Sequence, residues 1–404
     1  MSDLYPKLLS FTGYAIDSRL CKPGDLFFAL PGEKTDGHKF LNQVAANGGK
    51  AAIVLRGYSG PDFGLELIEV DDPLQTLQKL AQDKLQKQRP LIVGVTGTVG
   101  KTTCKEYIAT LLEGSREVAW SPKSQNSQLT CPLTILNQAG WGEEVLVLEM
   151  GMSKKGEIAR LVEIASPDIA VITAVSLVHA ANFDSWEEIA CAKGEILQHP
   201  RTKLGVIPPI DLLRKFGSCP KKVVSFEHNR PELSHLPPHH QYNAFLAMTV
   251  CRELGLEWET ILHRVPLLNV LEGRGSVVEK GGIVFIHDAY NASPQSMKAA
   301  LDALPKTAGK KLAVLGDMKE LGKFSEEAHK DIGNYALDKL DHLICTGEEC
   351  VPLAEVWRKQ GREVNWFGDN QGALQALKKI AKPGDTVLLK GSNSCRLWEL
   401  LEAF

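Results

Sequence analysis

The segment GVTGTVGKTTCKE, residues 94–106, constrains the fold more than any other part of the chain. The run PLIVGVTG (90–97) is apolar and rich in β-branched residues, so it predicts a buried strand. KTTCKEYIATLLEG (101–114) places apolar residues on one helical face and stops at a glycine, so it predicts a helix. A glycine-containing loop joins the two and aims backbone N–H groups and the positive end of the helix at an anion.

This loop predicts a site for a nucleoside triphosphate. Lys101 would neutralise the β- and γ-phosphates, and Thr102 would offer its hydroxyl to Mg²⁺. The G-x-x-x-x-G-K-[ST] pattern is incomplete, because Val95 stands where its first glycine would fall. A glycine-rich turn beside a surface lysine is the alternative interpretation. The loop residues expected to hold the nucleotide are Gly97, Thr98, Val99, Gly100, Lys101, Thr102 and Thr103.

Composition and charge narrow the class of protein. A chain of 404 residues should hold two or three domains. Its hydrophobic fraction of 44% and charged fraction of 24% are typical of a soluble globular protein. A net charge of −3 gives no reason to expect nucleic acid or an acidic membrane as partner. Because no apolar run approaches a membrane span and the N-terminus has no signal-peptide pattern, we expect no membrane insertion.

The nine cysteines are scattered without a C-x-x-C pair, which is typical of reduced thiols in a cytosolic protein. The pattern therefore predicts a cytoplasmic protein. The nearest pair, in CTGEEC (345–350), could bind a metal or form a disulfide, and two core or loop thiols are the alternative interpretation.

Strand and helix patterns divide the chain into three predicted α/β domains. Short strands and a helix that ends before Pro90 form the first domain, residues 1–88. Strands then alternate with helices over residues 89–270, which predicts a parallel sheet. A second alternating series, residues 271–404, has strands that end in Gly, Asp or Asn, where open α/β sheets bind ligands. The predicted strands are 25–30, 50–55, 65–70, 144–151, 168–175, 203–209, 283–290, 311–318, 342–347 and 386–392, and a helix is predicted at 73–88.

Glu149, His179 and Lys193 lie near the ends of predicted elements of the second domain. Glu149 ends an apolar strand, where a carboxylate beside a phosphate loop can hold Mg²⁺ directly or through water. His179 follows another strand, and Lys193 lies on a helix whose apolar residues face inward. The alternatives are an exposed strand-end glutamate, a structural histidine and a solvated lysine. Together the three residues favour in-line transfer of phosphate to a bound carboxylate.

Residues of the third predicted domain could complete this site. DAYNASPQSM (288–297) begins at a strand end and offers Asp288, Tyr290 and Asn291 as a candidate clamp for the ribose. Arg274, at the joint between the domains, could close on the γ-phosphate. An interdomain salt bridge is its alternative role.

These segments, in this order, resemble the Mur ligases, the ATP-dependent amide ligases of peptidoglycan synthesis. Residues 17–40 look like the family's uridine-binding opening, and TGTVGKTTCKE is similar to its phosphate loop. Residues 148–158 and 178–196 resemble the segments that carry its magnesium-binding glutamate and its histidine and lysine. DAYNASPQSMKAAL, VLGDMKELGKFSEEAH and LLKGSNS, at 288–301, 314–329 and 388–394, are similar to the branch of the family that adds a dipeptide.

The resemblance implies a small N-terminal domain that binds a UDP-substrate, a central phosphate-loop ATPase domain and a C-terminal Rossmann-like domain for the incoming dipeptide. It implies ligation of D-alanyl-D-alanine to UDP-N-acetylmuramoyl-tripeptide through an acyl phosphate, with ATP and two Mg²⁺ ions as cofactors. It also implies that Lys193 is carbamylated, and we expect a monomer. The alternatives are another Mur-type ligase, a folylpolyglutamate-type ligase, and a binding module that hydrolyses ATP without ligation.

The resemblance assigns roles to single residues as well. The residues implied for catalysis are Lys101, Glu149, His179, Lys193 and Arg274, and those implied to hold metal are Thr102, Glu149, His179 and Lys193. The nucleotide contacts implied beyond the loop are Asn243, Asp288, Tyr290 and Asn291. The residues implied to bind the other substrates are Ser18, Arg19, Asn126, Asp317, Lys390 and Ser392. The sequence departs from the family's pattern at Thr130, Ala174, His240 and Asn393, where Gly, Asn, Asn and Arg are usual.

Overall fold

The computed structural model describes residues 4–32, 35–139, 142–176, 182–225 and 230–404. Within these ranges the strands form three sheets that follow one another along the chain, so the predicted α/β class is confirmed. The first sheet has four parallel strands in the order β1–β2–β3–β4. Its elements are α1 (Leu4–Leu8), β1 (Tyr14–Ala15), β2 (Leu26–Phe28), α2 (Leu41–Ala46), β3 (Ala51–Leu55), β4 (Glu66–Val70) and α3 (Pro73–Lys87).

Helix α3 follows the first sheet, and its sequence shows why it begins at Pro73. Asp72 caps its N-terminus, where the carboxylate accepts hydrogen bonds from the backbone N–H groups of Leu74 and Gln75. Pro73 occupies the first turn, where its missing N–H costs nothing. The helix ends at Lys87, one residue before the predicted end at 88.

The second sheet has six parallel strands in the order β10–β9–β8–β5–β7–β6. Its strands are β5 (Leu91–Thr96), β6 (Val118–Trp120), β7 (Val145–Glu149), β8 (Ile169–Ile172), β9 (Leu204–Ile207) and β10 (Lys221–Val223). Its helices are α4 (Lys101–Leu112), α5 (Thr130–Gln138), α6 (Glu157–Ile164), α7 (Trp186–Gly194), α8 (Pro238–Glu253) and α9 (Trp258–Arg264). The central position of β5 brings the carboxyl ends of β7 and β8 to either side of the loop that follows it.

The third sheet has six strands in the order β11–β12–β16–β13–β14–β15, of which β11 runs antiparallel to β12. Its strands are β11 (Ser276–Lys280), β12 (Ile283–His287), β13 (Lys311–Gly316), β14 (His342–Thr346), β15 (Val364–Phe367) and β16 (Thr386–Lys390). Its helices are α10 (Pro294–Asp302), α11 (Ser325–Ala336), α12 (Val351–Lys359), α13 (Asn370–Ile380) and α14 (Trp398–Ala403).

The apolar core joins the first two sheets and leaves the third separate. In β7, Val145 and Val147 face α4 and α8, whereas Leu146 and Leu148 face α5 and α6. The cluster on the α5 side continues through α3 into the first sheet. Around the third sheet, the clusters among the described residues draw only on positions after 277. With the proposed domain limits of 1–88, 89–270 and 271–404, the first two domains therefore share an apolar core.

In the described part of the chain, no helix combines the length and apolar character that crossing a bilayer would require.

Trp357 offers a test of this core. Its indole is 0% exposed and donates a hydrogen bond to the Gly333 carbonyl, which ties α12 to α11. Trp357→Ala should lower the free energy of unfolding of the C-terminal domain by about 3–5 kcal/mol. Trp258→Ala is the control, because Trp258 is 42% exposed, and it should cost less than about 1 kcal/mol. Urea unfolding followed by circular dichroism measures both, and equal effects would contradict this packing.

Candidate active site

The loop after β5 is held in a form that only glycine allows at two positions. Gly97 and Gly100 have φ of 151° and 84°. A Cβ on Gly97 would lie 1.9 Å from the Thr173 hydroxyl, and one on Gly100 would lie 2.3 Å from Oδ1 of Asn243. The backbone can therefore approach a ligand closely here. Asn243, on α8, lies directly against the loop.

Lys101 begins α4 and folds back over this loop. Its ammonium donates a hydrogen bond to the Gly97 carbonyl at 3.0 Å. Burial lowers the pKa of Lys101 below its ordinary value, Arg274 acts in the same direction and Glu149 opposes both. The lysine thus lies where an anion on the loop would meet it.

Glu149 ends β7 with a carboxylate that is 1% exposed. One oxygen accepts a hydrogen bond from the Thr102 hydroxyl at 2.8 Å, and the other accepts one from the Asn126 amide at 2.7 Å. The backbone N–H of Glu149 donates to the Ser121 hydroxyl at 3.0 Å. The strand end, the start of α4 and the segment after β6 therefore converge on one buried carboxylate.

Arg274 extends from the C-terminal domain into this cluster. Its guanidinium donates to the hydroxyls of Thr102, at 3.0 Å, and Ser124, at 3.1 Å. The guanidinium carbon lies 3.9 Å from the centroid of the Tyr290 ring. Burial lowers the pKa of Arg274, and the neighbouring Glu149 raises it. The glycines on either side of Arg274 both have positive φ, so this joint has unusual backbone freedom.

His240, one of the positions at which the sequence departs from the pattern it resembles, holds the backbone of the same joint. Its Nε2 donates to the carbonyl oxygen of Arg274 at 2.8 Å, since a carbonyl can only accept. Burial lowers the pKa of His240, so the ring is neutral near pH 7. Its Nδ1 therefore accepts the hydrogen bond from the Tyr107 hydroxyl, at 2.9 Å. Sequence comparison marked this position as a departure but could not show that the replacement makes a specific contact.

Lys193, on α7, is 1% exposed. Burial places its pKa well below the ordinary value, and the nearby charge of Lys101 lowers it further. The described residues provide no hydrogen bond or ion pair to its ammonium. His179, the predicted neighbour of Lys193, lies outside the described residues.

A second polar group of the candidate site belongs to the C-terminal domain. The Lys390 ammonium, at the end of β16, donates to the Asp288 carboxylate at 2.7 Å and to the Asn291 carbonyl at 3.1 Å. This pair fixes the segment that follows β12. Tyr290, from that segment, stacks on Arg274, and Asp288, Tyr290 and Asn291 line the same cavity as the phosphate loop.

A cavity of about 1400 Å³ runs between the central and C-terminal domains. It exceeds the roughly 300–1,000 Å³ of a single small-molecule site, so it has room for more than one ligand. The predicted residues that line it are Thr98, Val99, Gly100, Lys101, Thr102, Thr103, Asn126, Glu149, Asn243, Arg274, Asp288, Tyr290, Asn291, Lys390 and Ser392. Gly97 and Lys193 lie behind this lining.

Ser18 and Arg19 lie in the first domain, away from the cavity lining. The Arg19 guanidinium is exposed and pairs with Asp17, and the Ser18 hydroxyl bonds to the side chain of Gln43. Their assignment to the UDP-substrate stays a prediction.

Asp317 is buried within the C-terminal domain instead of facing the cavity. Its carboxylate accepts hydrogen bonds from the Cys350 backbone N–H at 3.1 Å and from the Lys319 ammonium at 2.7 Å. Lys319 itself lines the cavity, although no sequence signal singled it out. Its backbone N–H donates to the Ser392 hydroxyl at 2.8 Å. Lys319 therefore lines the cavity at this strand end, and the assignment of Asp317 to a substrate stays a prediction.

Asp317, His329 and Cys350 form a buried group with the spacing of metal ligands. The His329 ring has no free nitrogen, because Nε2 accepts from the Met318 N–H at 3.0 Å and Nδ1 donates to the Ser325 carbonyl at 2.7 Å. The group therefore serves packing, and the thiols of CTGEEC are both buried and free.

Three family models match the chain. "Mur ligase family, catalytic domain" matches residues 10–84, "Mur ligase middle domain" 95–251, and "Mur ligase, glutamate ligase domain" 273–393. A relative from Bacillus subtilis, named UDP-N-acetylmuramoyl-tripeptide–D-alanyl-D-alanine ligase, is 34% identical over 96% of this chain and 92% of its own. One of the same name from Synechocystis is 32% identical over 94% and 89%.

Solved structures show the same similarity in three dimensions. The MurF ligase of Thermotoga maritima in complex with ADP superposes with a TM-score of 0.83 at 30% identity, covering 100% of this chain and 98% of that one. MurF from Acinetobacter baumannii superposes with a TM-score of 0.84 at 26% identity, covering 96% and 92%.

Lys101→Ala should lower ATP turnover by roughly 10²–10³-fold, because the ammonium lies where charge develops on the transferred phosphate. The circular dichroism spectrum should not change. Lys215→Ala is the matched control, since Lys215 is an exposed lysine of the same domain. Steady-state phosphate release measures both variants. Residual turnover of Lys101→Ala above about a tenth of wild type would contradict the assignment.

Proposed function

Because this chain belongs to the Mur ligase family, we propose that it ligates D-alanyl-D-alanine to UDP-N-acetylmuramoyl-tripeptide and converts ATP to ADP and phosphate. The motif resemblance to the family is confirmed by the family models. The observation that carries the proposal is the convergence of Lys101, Thr102, Glu149 and Arg274 at one end of a cavity that two domains share. Such a cluster serves the transfer of a phosphoryl group to a second bound substrate.

The reaction needs ATP because a carboxylate is a poor electrophile. An oxygen of the tripeptide's terminal carboxylate attacks the γ-phosphorus, and the bond from that phosphorus to ADP breaks. The amine of D-alanyl-D-alanine then attacks the acyl carbon, and phosphate leaves with the oxygen that had attacked. The amine loses its proton as the amide forms. Both reactants of the first step are anions, so Lys101 and Arg274 lower their repulsion and stabilise the transition state.

The donor atoms around Glu149 fit Mg²⁺. The Thr102 hydroxyl and the Glu149 carboxylate converge there, and their oxygens are hard ligands of the kind that Mg²⁺ prefers. The Asn126 amide donates a hydrogen bond to the same carboxylate and orients it. When bound, Mg²⁺ supplies positive charge to the phosphate oxygens. We propose two ions, the first held by Thr102 and Glu149 and the second by His179 and a modified Lys193.

We assign uridine binding to the first domain, with Ser18 and Arg19, and the incoming dipeptide to the C-terminal domain, with Ser392 and Lys390. Asn126 lies between the two, beside the carboxylate to be activated. The joint at Arg274 would let the C-terminal domain close and keep water from the acyl phosphate. We propose a monomer that works in the cytoplasm. The free thiols of all nine cysteines support that compartment.

Substrate dependence tests this function. Phosphate release from ATP should require both UDP-N-acetylmuramoyl-tripeptide and D-alanyl-D-alanine, because the acyl phosphate is consumed only when the amine of the dipeptide attacks it. Each substrate alone should give less than about a tenth of the full rate, the loss expected when one reacting group is not positioned. Phosphate release by Lys101→Ala with both substrates gives the background rate. Turnover with ATP alone at the full rate would instead indicate a nucleotide-gated module without ligase activity.

We further propose that Lys193 is carbamylated in the active enzyme. Its lowered pKa increases the fraction of neutral amine, whose nitrogen can form a bond to the carbon of CO₂ and release a proton. The product carries a negative charge and oxygen donors where the unmodified chain carries an amine beside Lys101. Carbamate formation should weaken as the pH falls through the lowered pKa of Lys193, because the ammonium cannot add CO₂.

Carbon-13 NMR with labelled bicarbonate should show one carbamate resonance in the wild-type protein and none in Lys193→Ala. Activity of Lys193→Ala should fall at least about tenfold and recover in part with short-chain carboxylic acids, which can occupy the vacated space. A wild-type protein that is active without the resonance would contradict carbamylation and leave the ligase assignment intact.

A further inference from the structure

Lys105 is a charged residue that the mechanism above does not use. It lies one turn beyond Lys101 on α4 and is 0% exposed. A lysine is seldom fully buried unless its ammonium is paired. Its ammonium donates hydrogen bonds to the carbonyl of Ser121 and, at 2.5 Å, to the carbonyl of Lys123, and it forms an ion pair with the carboxylate of Glu106 at 2.8 Å.

Both carbonyls belong to one segment, residues 121–126, which we term the β6 loop. It follows β6 and contacts the site at three points. The Ser121 hydroxyl accepts from the Glu149 N–H, the Ser124 hydroxyl bonds to Thr102, and the Asn126 amide donates to the Glu149 carboxylate. The β6 loop therefore surrounds the oxygen atoms assigned to Mg²⁺.

The β6 loop has a backbone conformation that its sequence does not favour. Lys123 has φ of 50°, in the left-handed region where side chains other than Asn, Asp and Gly are uncommon. Its own side chain is exposed, so packing of that side chain does not impose the conformation. The backbone bond from the Gln125 N–H to the Pro122 carbonyl closes the turn that contains Lys123. The bond from the buried Lys105 ammonium to the Lys123 carbonyl fixes this turn to α4.

We propose that Lys105 is a positioning residue for the metal and nucleotide site. It holds the β6 loop in the strained form that presents Ser124 and Asn126 to Thr102 and Glu149. It touches neither nucleotide nor metal and acts through the loop. The inference rests on the proposed function only in taking Thr102 and Glu149 as the residues that hold Mg²⁺.

A purely structural lysine would act differently. It would tie α4 to β6, and its loss would lower stability and weaken nucleotide binding to the same extent with or without metal. A positioning lysine acts on the metal-dependent part of ADP binding. The β6 loop orients the oxygen atoms assigned to Mg²⁺, and it leaves the backbone of the phosphate loop untouched. The ratio of ADP affinity with Mg²⁺ to that with EDTA separates the two roles.

Lys105→Met removes the ammonium at similar length, and calorimetry of ADP binding to the full-length protein gives the ratio. The Mg²⁺-dependent gain in affinity should fall roughly 10–100-fold, as is typical when groups that orient metal ligands are lost. Affinity in EDTA should stay within about twofold of wild type, because the loop N–H groups remain. Lys84→Met is the matched control, since Lys84 also donates to a buried carbonyl, that of Leu136 at 2.6 Å, which belongs to α5 and not to the β6 loop.

A second pair of variants tests the loop without disturbing a buried charge. Lys123→Val places a β-branched residue at positive φ and should lose the Mg²⁺-dependent gain as Lys105→Met does. Lys123→Gly accepts that φ and should keep it. A wild-type ratio in either Lys105→Met or Lys123→Val would overturn the proposal, as would an equal loss in Lys84→Met. If Lys105→Met does not fold, the Lys123 pair decides alone. Because the readout is binding, it stays measurable even if the wild-type protein fails to ligate.

Discussion

An ionised carboxylate removed from water must be hydrogen-bonded, or its desolvation costs several kcal/mol. Glu149 meets this requirement with one bond from Thr102 and one from Asn126. Because β5 and β7 are paired with Val95 opposite Glu149, the phosphate loop and this carboxylate end at the same edge of the sheet. The pairing of strands and the need to satisfy one buried charge thus place the phosphate loop and the β6 loop together.

Positively charged side chains lie near the Glu149 carboxylate. Lys101 and Arg274 approach from α4 and from the C-terminal domain, and burial lowers the pKa of each. Such an arrangement favours a polyanion over water, since each cation gains from a negative partner that its own surroundings do not fully supply. Arg274 links this chemistry to domain position, because its side chain bonds to Thr102 while its carbonyl is held by His240.

Sequence reasoning recovered the parts of the site that depend on local pattern. The strand, loop and helix around Lys101 and the strand that ends at Glu149 follow from apolar periodicity and glycine placement. It missed Ser124, Lys105 and Lys319, because their roles depend on how a loop or strand end folds back in three dimensions. Asp317 shows the same limit: the sequence places this carboxylate at a strand end, but only the structure shows that the Cys350 N–H and Lys319 hydrogen-bond to it.

The central claim is that the triphosphate activates a carboxylate, and the path of one oxygen atom tests it directly. UDP-N-acetylmuramoyl-tripeptide labelled with oxygen-18 in its terminal carboxylate is turned over with ATP and D-alanyl-D-alanine, and the phosphate is examined by mass spectrometry. An acyl phosphate requires that one carboxylate oxygen leave with each phosphate, so the account predicts one labelled oxygen per phosphate formed. Unlabelled phosphate released together with the amide product would contradict it.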